Sequence, residues 1–414
     1  MNFKSQATTL FHFLKKTQNI WDNEVMDHYP ESLNQFNPEW IESLRNLTLA
    51  ELHQLDSKEK LAKLAKTSLQ SFLEEIKSLE DIIPAQIPPS VKLEDWAYVD
   101  IKEKKKHEIN ILAPFISNLQ QSLKFNSVID IGGGVGHLAR IIAKYFGIKT
   151  ISIDKEKSFQ AIGKKRLERY REPINAAPLE FLNLDFSNNS SQAFKEVFQS
   201  TNFILGLHTC GELANSLIKT TIETKAIGLL NFGCCYHKMG KGNFKFNSLF
   251  FQENLNLTMT LESLTLATRA HGKTNFYDFE TKYLVKNYRQ ALHLFLIEKF
   301  NRNDILSVGE IHVREYRKPF EDYLFTKLET LNISHNFTKD EMSDFYQSSK
   351  IQTELKKMFL ANLIRWQMGR VLEKFLLLDR VIYLEENNYQ AELLEFFTES
   401  ISPRNIGILA KKLN

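Results

Sequence analysis

The sequence predicts an α/β fold whose parallel sheet is covered on both faces, flanked by two helical regions. Three observations carry this. Between residues 128 and 232, short apolar runs alternate with segments of helical periodicity, the signature of successive βαβ units. The first run stops abruptly at a glycine cluster, as a strand does when it turns into a helix. Before about residue 100 and after 250 that alternation is absent, and only helical spacing remains until two strand-like runs close the chain.

Residues 1–100 read as helices joined by short turns. Asn37-Pro38-Glu39 combines a capping side chain, a proline at the first helical position and an acid in the first turn, and Trp40, Ile41, Leu44 and Leu47 follow at helical spacing. Thr48-Leu49-Ala50-Glu51 has the form of a capping box, and one amphipathic helix is expected over 57–79. The prolines of 83–90 end the helical pattern and mark a boundary. After the basic run 102–106 a helix is expected over 107–123. The core, 101–250, then carries strands expected at 128–131, 148–154, 179–185, 203–208 and 226–232, with helices at 138–146 and 159–170. A helical insertion, 251–362, is expected to hold helices at 255–268, 276–299 and 342–359. In 363–414 a helix over 363–385 precedes strands at 392–397 and 405–411, which are expected to return to the sheet.

Composition narrows the function classes. The chain has 414 residues and 48.2 kDa, 43% hydrophobic and 25% charged, the make-up of a globular protein rather than a disordered or fibrous one. With 53 Lys+Arg against 50 Asp+Glu, the net charge of +3 is too balanced for an overall electrostatic footprint on nucleic acid. The basic run at 102–106 and Lys164, Lys165, Arg166, Arg169 and Arg171 read as solvated faces. Three cysteines cannot staple a chain of this length, so a reducing, cytoplasmic setting is expected. The longest apolar stretch, 375–384, is broken by Asp379 and Arg380, and the first residues lack an apolar signal core, so neither a bilayer span nor a secretory signal is expected.

Asp130-Ile131-Gly132-Gly133-Gly134-Val135-Gly136-His137 lies where a strand ends and a helix begins. Glycines there let the main chain turn tightly and approach a ligand, while the helix start offers unpaired N–H groups. Asp154, at the end of the next strand, can accept from both hydroxyls of a ribose. The dinucleotide fingerprint needs glycine where His137 stands, and a pyrophosphate is poorly served by the Asp130 carboxylate. A zwitterion is well served: Asp130 meets an ammonium and the helix end meets a carboxylate. S-adenosylmethionine carries both groups on an adenosine. Gly132, Gly134 and Gly136 would supply the turn, and Asp185 either accepts the adenine amino group or caps a helix.

All three cysteines fall where the fourth and fifth strands should end, in Leu207-His208-Thr209-Cys210-Gly211-Glu212 and Gly233-Cys234-Cys235-Tyr236-His237-Lys238. Methyl transfer from a sulfonium needs an acceptor held in line and, where the acceptor carries one, its proton removed. His208, His237 and Tyr236 are therefore the candidate catalytic groups, with Cys210, Cys234 and Cys235 lining the acceptor side. The loops also admit a metal or redox reading. Their spacings match no standard zinc pattern, adjacent cysteines rarely both reach one ion, and no C-x-x-C is present, so no residue is assigned to a metal.

These segments resemble the methyltransferase-like protein 25 family, including its branch named ribosomal RNA adenine dimethylase domain-containing. The matching stretches are Lys104-Lys105-Lys106-His107-Glu108, Asp130 to His137, Gly206 to Leu213, Gly233 to Lys238, Tyr288-Arg289-Gln290-Ala291-Leu292, Leu376-Leu377-Leu378-Asp379-Arg380 and Ser402-Pro403-Arg404-Asn405. They run from about residue 90 to the end of the chain. The resemblance implies a Rossmann-like class I methyltransferase sheet and dependence on S-adenosylmethionine, with an acceptor poorly defined across the family. The cysteine loops are also similar to those of eukaryotic tRNA 2′-O-methyltransferases, without the extra zinc-finger cysteines of those enzymes. No Asn/Asp-Pro-Pro-Tyr/Phe motif follows the fourth strand, so the adenine dimethylase label draws no support from the residues.

The resulting expectation is an S-adenosylmethionine-dependent methyltransferase of undetermined oligomeric state, acting away from membranes. RNA is slightly favoured as acceptor over protein or a small molecule. The alternatives are a non-catalytic cofactor-binding interaction protein and a metal-binding or redox protein built on His208, Cys210, Cys234, Cys235 and His237.

Overall fold

The computed structural model describes residues 2–169, 176–186, 196–239, 244–269, 275–304, 306, 309 and 311–413. It divides into two compact units. One comprises 1–16, 79–272 and 370–414; the other comprises 17–78 and 273–369.

The first unit is built on an eight-stranded sheet: β1 (Ile83–Pro84), β2 (Ser127–Ile131), β3 (Thr150–Asp154), β4 (Leu179–Asn183), β5 (Asn202–Cys210), β6 (Gly228–Cys234), β7 (Tyr389–Glu395) and β8 (Ile406–Lys412). Their order is β1-β7-β8-β6-β5-β2-β3-β4. All neighbours are parallel except that β8 runs antiparallel to both β6 and β7. The residues of β2 and β6 are buried throughout, as expected of strands covered on both faces. Ile109, Leu112 and Ile116 of the helix Glu103–Leu123 join Val128, Leu205, Leu230, Phe232, Phe396 and Leu409 in one apolar cluster. The two closing strands return to the sheet as the sequence predicts.

Several boundaries differ from expectation, each for a local reason. Residues 83–84 are not simply a boundary: Ile83 and Pro84 pair with Leu394 and Glu395, and proline is tolerated because β1 is an edge. The helix expected over 57–79 is Ser68–Glu80, because Lys66 is left-handed and the Thr67 hydroxyl accepts the Gln70 N–H at 3.1 Å, starting the helix there. The 255–268 segment is two helices, Leu249–Asn254 and Leu261–Thr268, capped by Ser248 and Thr260. Tyr170 and Arg171, at the end of the expected 159–170 segment, lie outside the described residues; the helix spans Lys157–Leu167.

The second unit is helical. Asn37 and Thr48 cap their helices as read from the sequence, Thr48 with the reciprocal Glu51 bond. Helix Phe276–Phe300 crosses Ser349–Trp366, where Lys282 Nζ lies 3.5 Å from the Trp366 ring centroid. Helix Phe320–Thr330 was not expected. It contributes Phe320 and Tyr323 to an aromatic cluster around Tyr288, whose hydroxyl donates to Lys318 O at 2.8 Å. The 342–359 segment begins earlier, at the Thr338 capping box, and breaks at Ser348. Among the described residues no helix is long and apolar enough to cross a membrane.

Candidate functional site at the carboxyl ends of the strands

The site is assembled from the turns that follow β2, β3, β5 and β6. After β2 the main chain turns through Gly132, Gly134 and Gly136, all with positive φ, and helix His137–Phe146 begins. At Gly136 (φ 73°) an added Cβ would stand 2.5 Å from the Phe181 ring, so both backbone and packing require glycine. At Gly134 (φ 59°) nothing lies within 4 Å of where a Cβ would sit, so this turn faces open space.

Asp154, at the end of β3, fastens the turn. Its Oδ2 accepts the Gly134 N–H at 2.9 Å and its Oδ1 accepts the Glu156 N–H at 2.9 Å. Gln160 adds a bond to Gly134 O at 3.1 Å. Asp130 is buried within β2. Burial raises its carboxyl to about 7; Lys105 opposes that shift and the Asp154 charge adds to it. His137 is pushed down to about 4 by burial and by Arg166 and Arg140, so the helix start carries a neutral imidazole. Asp185 is exposed two residues beyond the end of β4, on the same edge of the sheet.

The second half lies one and two strands away. His208 interrupts the β5 ladder at a register shift between Leu207 and Thr209, with φ 60°. A non-glycine residue held in that region is strained, and such strain gathers at functional sites. Its Nε2 donates to Glu108 Oε1 at 2.8 Å, and Ser402 Oγ donates to the same oxygen at 2.8 Å. Burial alone would raise the Glu108 carboxyl, but the His208 bond and the Lys105 charge outweigh it and hold the group at about 2. Glu108 was not among the residues singled out from sequence. Its signal was the Lys104-to-Glu108 stretch, read there only as part of the resemblance.

The backbone N–H of His237 donates to Thr268 Oγ1 at 3.1 Å, and its Nδ1 lies 3.2 Å from the same oxygen. Thr268 spends its one hydroxyl proton on Leu264 O at 2.8 Å, so Nδ1 is the donor in this contact and Nε2 is the ring nitrogen left facing away from it. His208 is fixed instead through Nε2 on Glu108, so Nδ1 is its ring nitrogen turned away from that bond.

Tyr236 departs from the expected role. It is fully buried, its hydroxyl donates to Glu373 Oε1 at 3.2 Å, and Arg380 lies over its ring. Burial and the Glu373 charge raise its phenol well above the usual value. It anchors the turn, with its hydroxyl engaged by Glu373 and no surface exposed to a ligand. Other stretches of the resemblance make buried polar contacts within the same unit. Asp379 accepts from the N–H groups of Asn247 and Ser248, Arg380 Nε donates to Asn215 Oδ1 at 3.1 Å, and Arg370 donates to Asn405 Oδ1 at 2.6 Å.

The cysteines converge. Cys210 and Cys234 are register partners at the ends of β5 and β6, with sulfurs 3.3 Å apart, and Cys235 Sγ is also 3.3 Å from Cys210. The S–H of Cys234 lowers the Cys210 thiol to about 5 against the effect of burial, with Cys235 adding a second donor. The Cys234 and Cys235 thiols are raised in turn.

Counted from β2, the sheet order is 3-2-1-4-5-7-6 with the seventh strand antiparallel, which together with the glycine turn and the acid at the end of the second strand defines a Rossmann-like class I methyltransferase fold. Residues 104–242 match the family model described as a methyltransferase domain. Over half its length the chain is similar to two proteins described as methyltransferase-like protein 25. It is 23% identical over 235 residues to the mouse protein described as "Probable methyltransferase-like protein 25" (Mus musculus), covering 50% of this chain and 37% of that one. To its human counterpart (Homo sapiens) it is 24% identical over 234 residues, 50% of this chain and 36% of the other. The chain therefore spans little more than a third of the length of those relatives. Neither match speaks for the ribosomal RNA adenine dimethylase branch. Among solved structures, the magnesium protoporphyrin IX methyltransferase of Synechocystis PCC 6803 superposes with a TM-score of 0.25 at 13% identity, over 41% of this chain and 71% of that one, too loosely to carry weight.

Proposed function

We propose that this chain binds S-adenosylmethionine across the turns after β2 and β3 and transfers its methyl group to an acceptor held between the turns after β5 and β6. The observation that carries the reading is the open glycine turn bounded by two carboxylates of opposite character. Asp130 is a buried acid raised toward neutrality, which an ammonium would restore to its charged form. Asp154 is already oriented by two main-chain donors, with lone pairs left for ribose hydroxyls. The open space at Gly134 is the cradle that such a ligand would occupy. When bound, S-adenosylmethionine supplies a methyl group activated on a sulfonium.

The chain's own residues do the rest. Asp185 stands on the adenine side of the sheet edge. His237, fixed through Nδ1, takes the acceptor's proton at Nε2, and His208 is held by Glu108 to orient the acceptor. Lys104 and Lys105, partly exposed beside Glu108, put positive charge at this rim and favour RNA over protein or a small molecule as the acceptor. The reading is tested by incubating the chain with S-adenosylmethionine labelled in its methyl group and fractionated cell RNA, protein and metabolites. Label should enter RNA with the native chain and fall at least about tenfold with His237→Ala while cofactor affinity holds. Tight cofactor binding with label in no fraction would instead favour a non-catalytic binding protein.

A further inference from the structure

The methyl-transfer reading uses Cys210, Cys234 and Cys235 only as lining, yet the backbone goes to some length to bring them together. Cys210 and Cys234 meet because β5 and β6 end in register. Adjacent cysteines ordinarily point apart, but Cys235 is left-handed (φ 54°, ψ 48°), and that single reversed residue returns its sulfur to Cys210. The three sulfurs all lie within 4.8 Å of one another, and two of the separations are 3.3 Å. Three thiolates on a tetrahedral ion with bonds of about 2.3 Å stand about 3.8 Å apart. Movements of a few tenths of an ångström would turn this cluster into a ligand set.

We infer that Cys210, Cys234 and Cys235 form a three-sulfur zinc site whose fourth position opens to solvent on the Cys210 side. Cys234 is buried, Cys235 half-buried and Cys210 exposed, so the cluster is closed beneath and open above. A divalent ion on three thiolates leaves one net negative charge, and Lys238 and His208 near Cys210 and Arg404 near Cys235 put positive charge beside it. Binding replaces the protons on sulfur, which pass to solvent; no electron moves, and no further reactant is needed. Among the described residues only these three sulfurs form the group, so the protein's ligands are sulfur alone, with water or an acceptor atom completing the ion's coordination. Three protein ligands and an open position is the arrangement of zinc sites that act on a bound group rather than merely brace a fold. The site stands on the cysteine geometry and does not depend on the cofactor reading.

The test uses the full chain, reduced, loaded with Zn2+ and exchanged against a competing chelator, with the metal-to-protein ratio measured by mass spectrometry. One ion per chain should be retained, and Co2+ in its place should give thiolate-to-metal charge-transfer absorption of a tetrahedral sulfur-rich site. Cys210→Ser, at the exposed position, and Cys235→Ser should each weaken binding by more than about 100-fold, since even outer-shell changes cost 10–100-fold. Circular dichroism of both variants should match the native chain. No retained metal on the reduced, folded native chain, or retention unchanged in both variants, would overturn the site.

Discussion

Asp154 both holds the glycine turn and, in the reading above, binds the ribose, and the two tasks can be separated. Each carboxylate oxygen already accepts one main-chain N–H at 2.9 Å and keeps a lone pair directed away from it. A hydrogen bond to a charged acceptor contributes about 1.5–3 kcal/mol. Losing the two to the ribose hydroxyls, at the lower end of that range, costs about 3 kcal/mol, or roughly 150-fold in affinity. Calorimetry with S-adenosylmethionine should therefore show Asp154→Ala weakened by about two orders of magnitude. Asp154→Asn, which keeps one oxygen acceptor but no charge, should lie about tenfold below the native chain. An affinity loss alone would not distinguish a lost ribose contact from a slackened turn. The 2′-deoxy analogue of the cofactor does: it should bind the native chain about tenfold more weakly than the parent ligand and bind Asp154→Ala with no further loss. Equal deoxy penalties in both proteins would refute the ribose contact.

Three further outcomes follow from the same geometry. Because the Asp130 carboxyl is raised to about 7, the ligand-free protein holds one proton more than a complex in which an ammonium faces the ionised group. Cofactor affinity should then climb with pH, by up to about tenfold per unit, and level off above 7; Asp130→Asn should abolish the slope in a binding titration. Gly136→Ala meets both a positive φ and the Phe181 ring, so thermal unfolding should report a loss of about 2–4 kcal/mol. Glu108 is held at about 2 against an ordinary 4.5, so its stabilisation, roughly 3 kcal/mol, is complete above 4.5 and is lost as pH falls through 2. Denaturant unfolding of Glu108→Gln should show a flatter acid limb than the native chain.

The alternation of strands and helices across 128–232 was legible because each element carries its own short-range pattern, and so was the edge of the sheet on which the site had to lie. The Asp130-to-Gly136 turn and Asp154 were readable for the same reason: glycines where the main chain reverses and an acid at the next strand end are local necessities. The helix Phe320–Thr330 and the breaks at Ser348 and near residue 67 were not, since capping and aromatic packing with distant neighbours settled them. At the site, sequence placed Tyr236 beside His237, but only packing turned the phenol inward to Glu373, 137 residues away. Glu108 and His208 are 100 residues apart and meet because the helix Glu103–Leu123 packs on the sheet beside β5. The left-handed backbone at His208 and Cys235 has no sequence signature, for neither residue type favours it; tertiary contacts hold both there. What residues dictate to their near neighbours was written in the chain, and what strangers along the chain impose on one another awaited the fold.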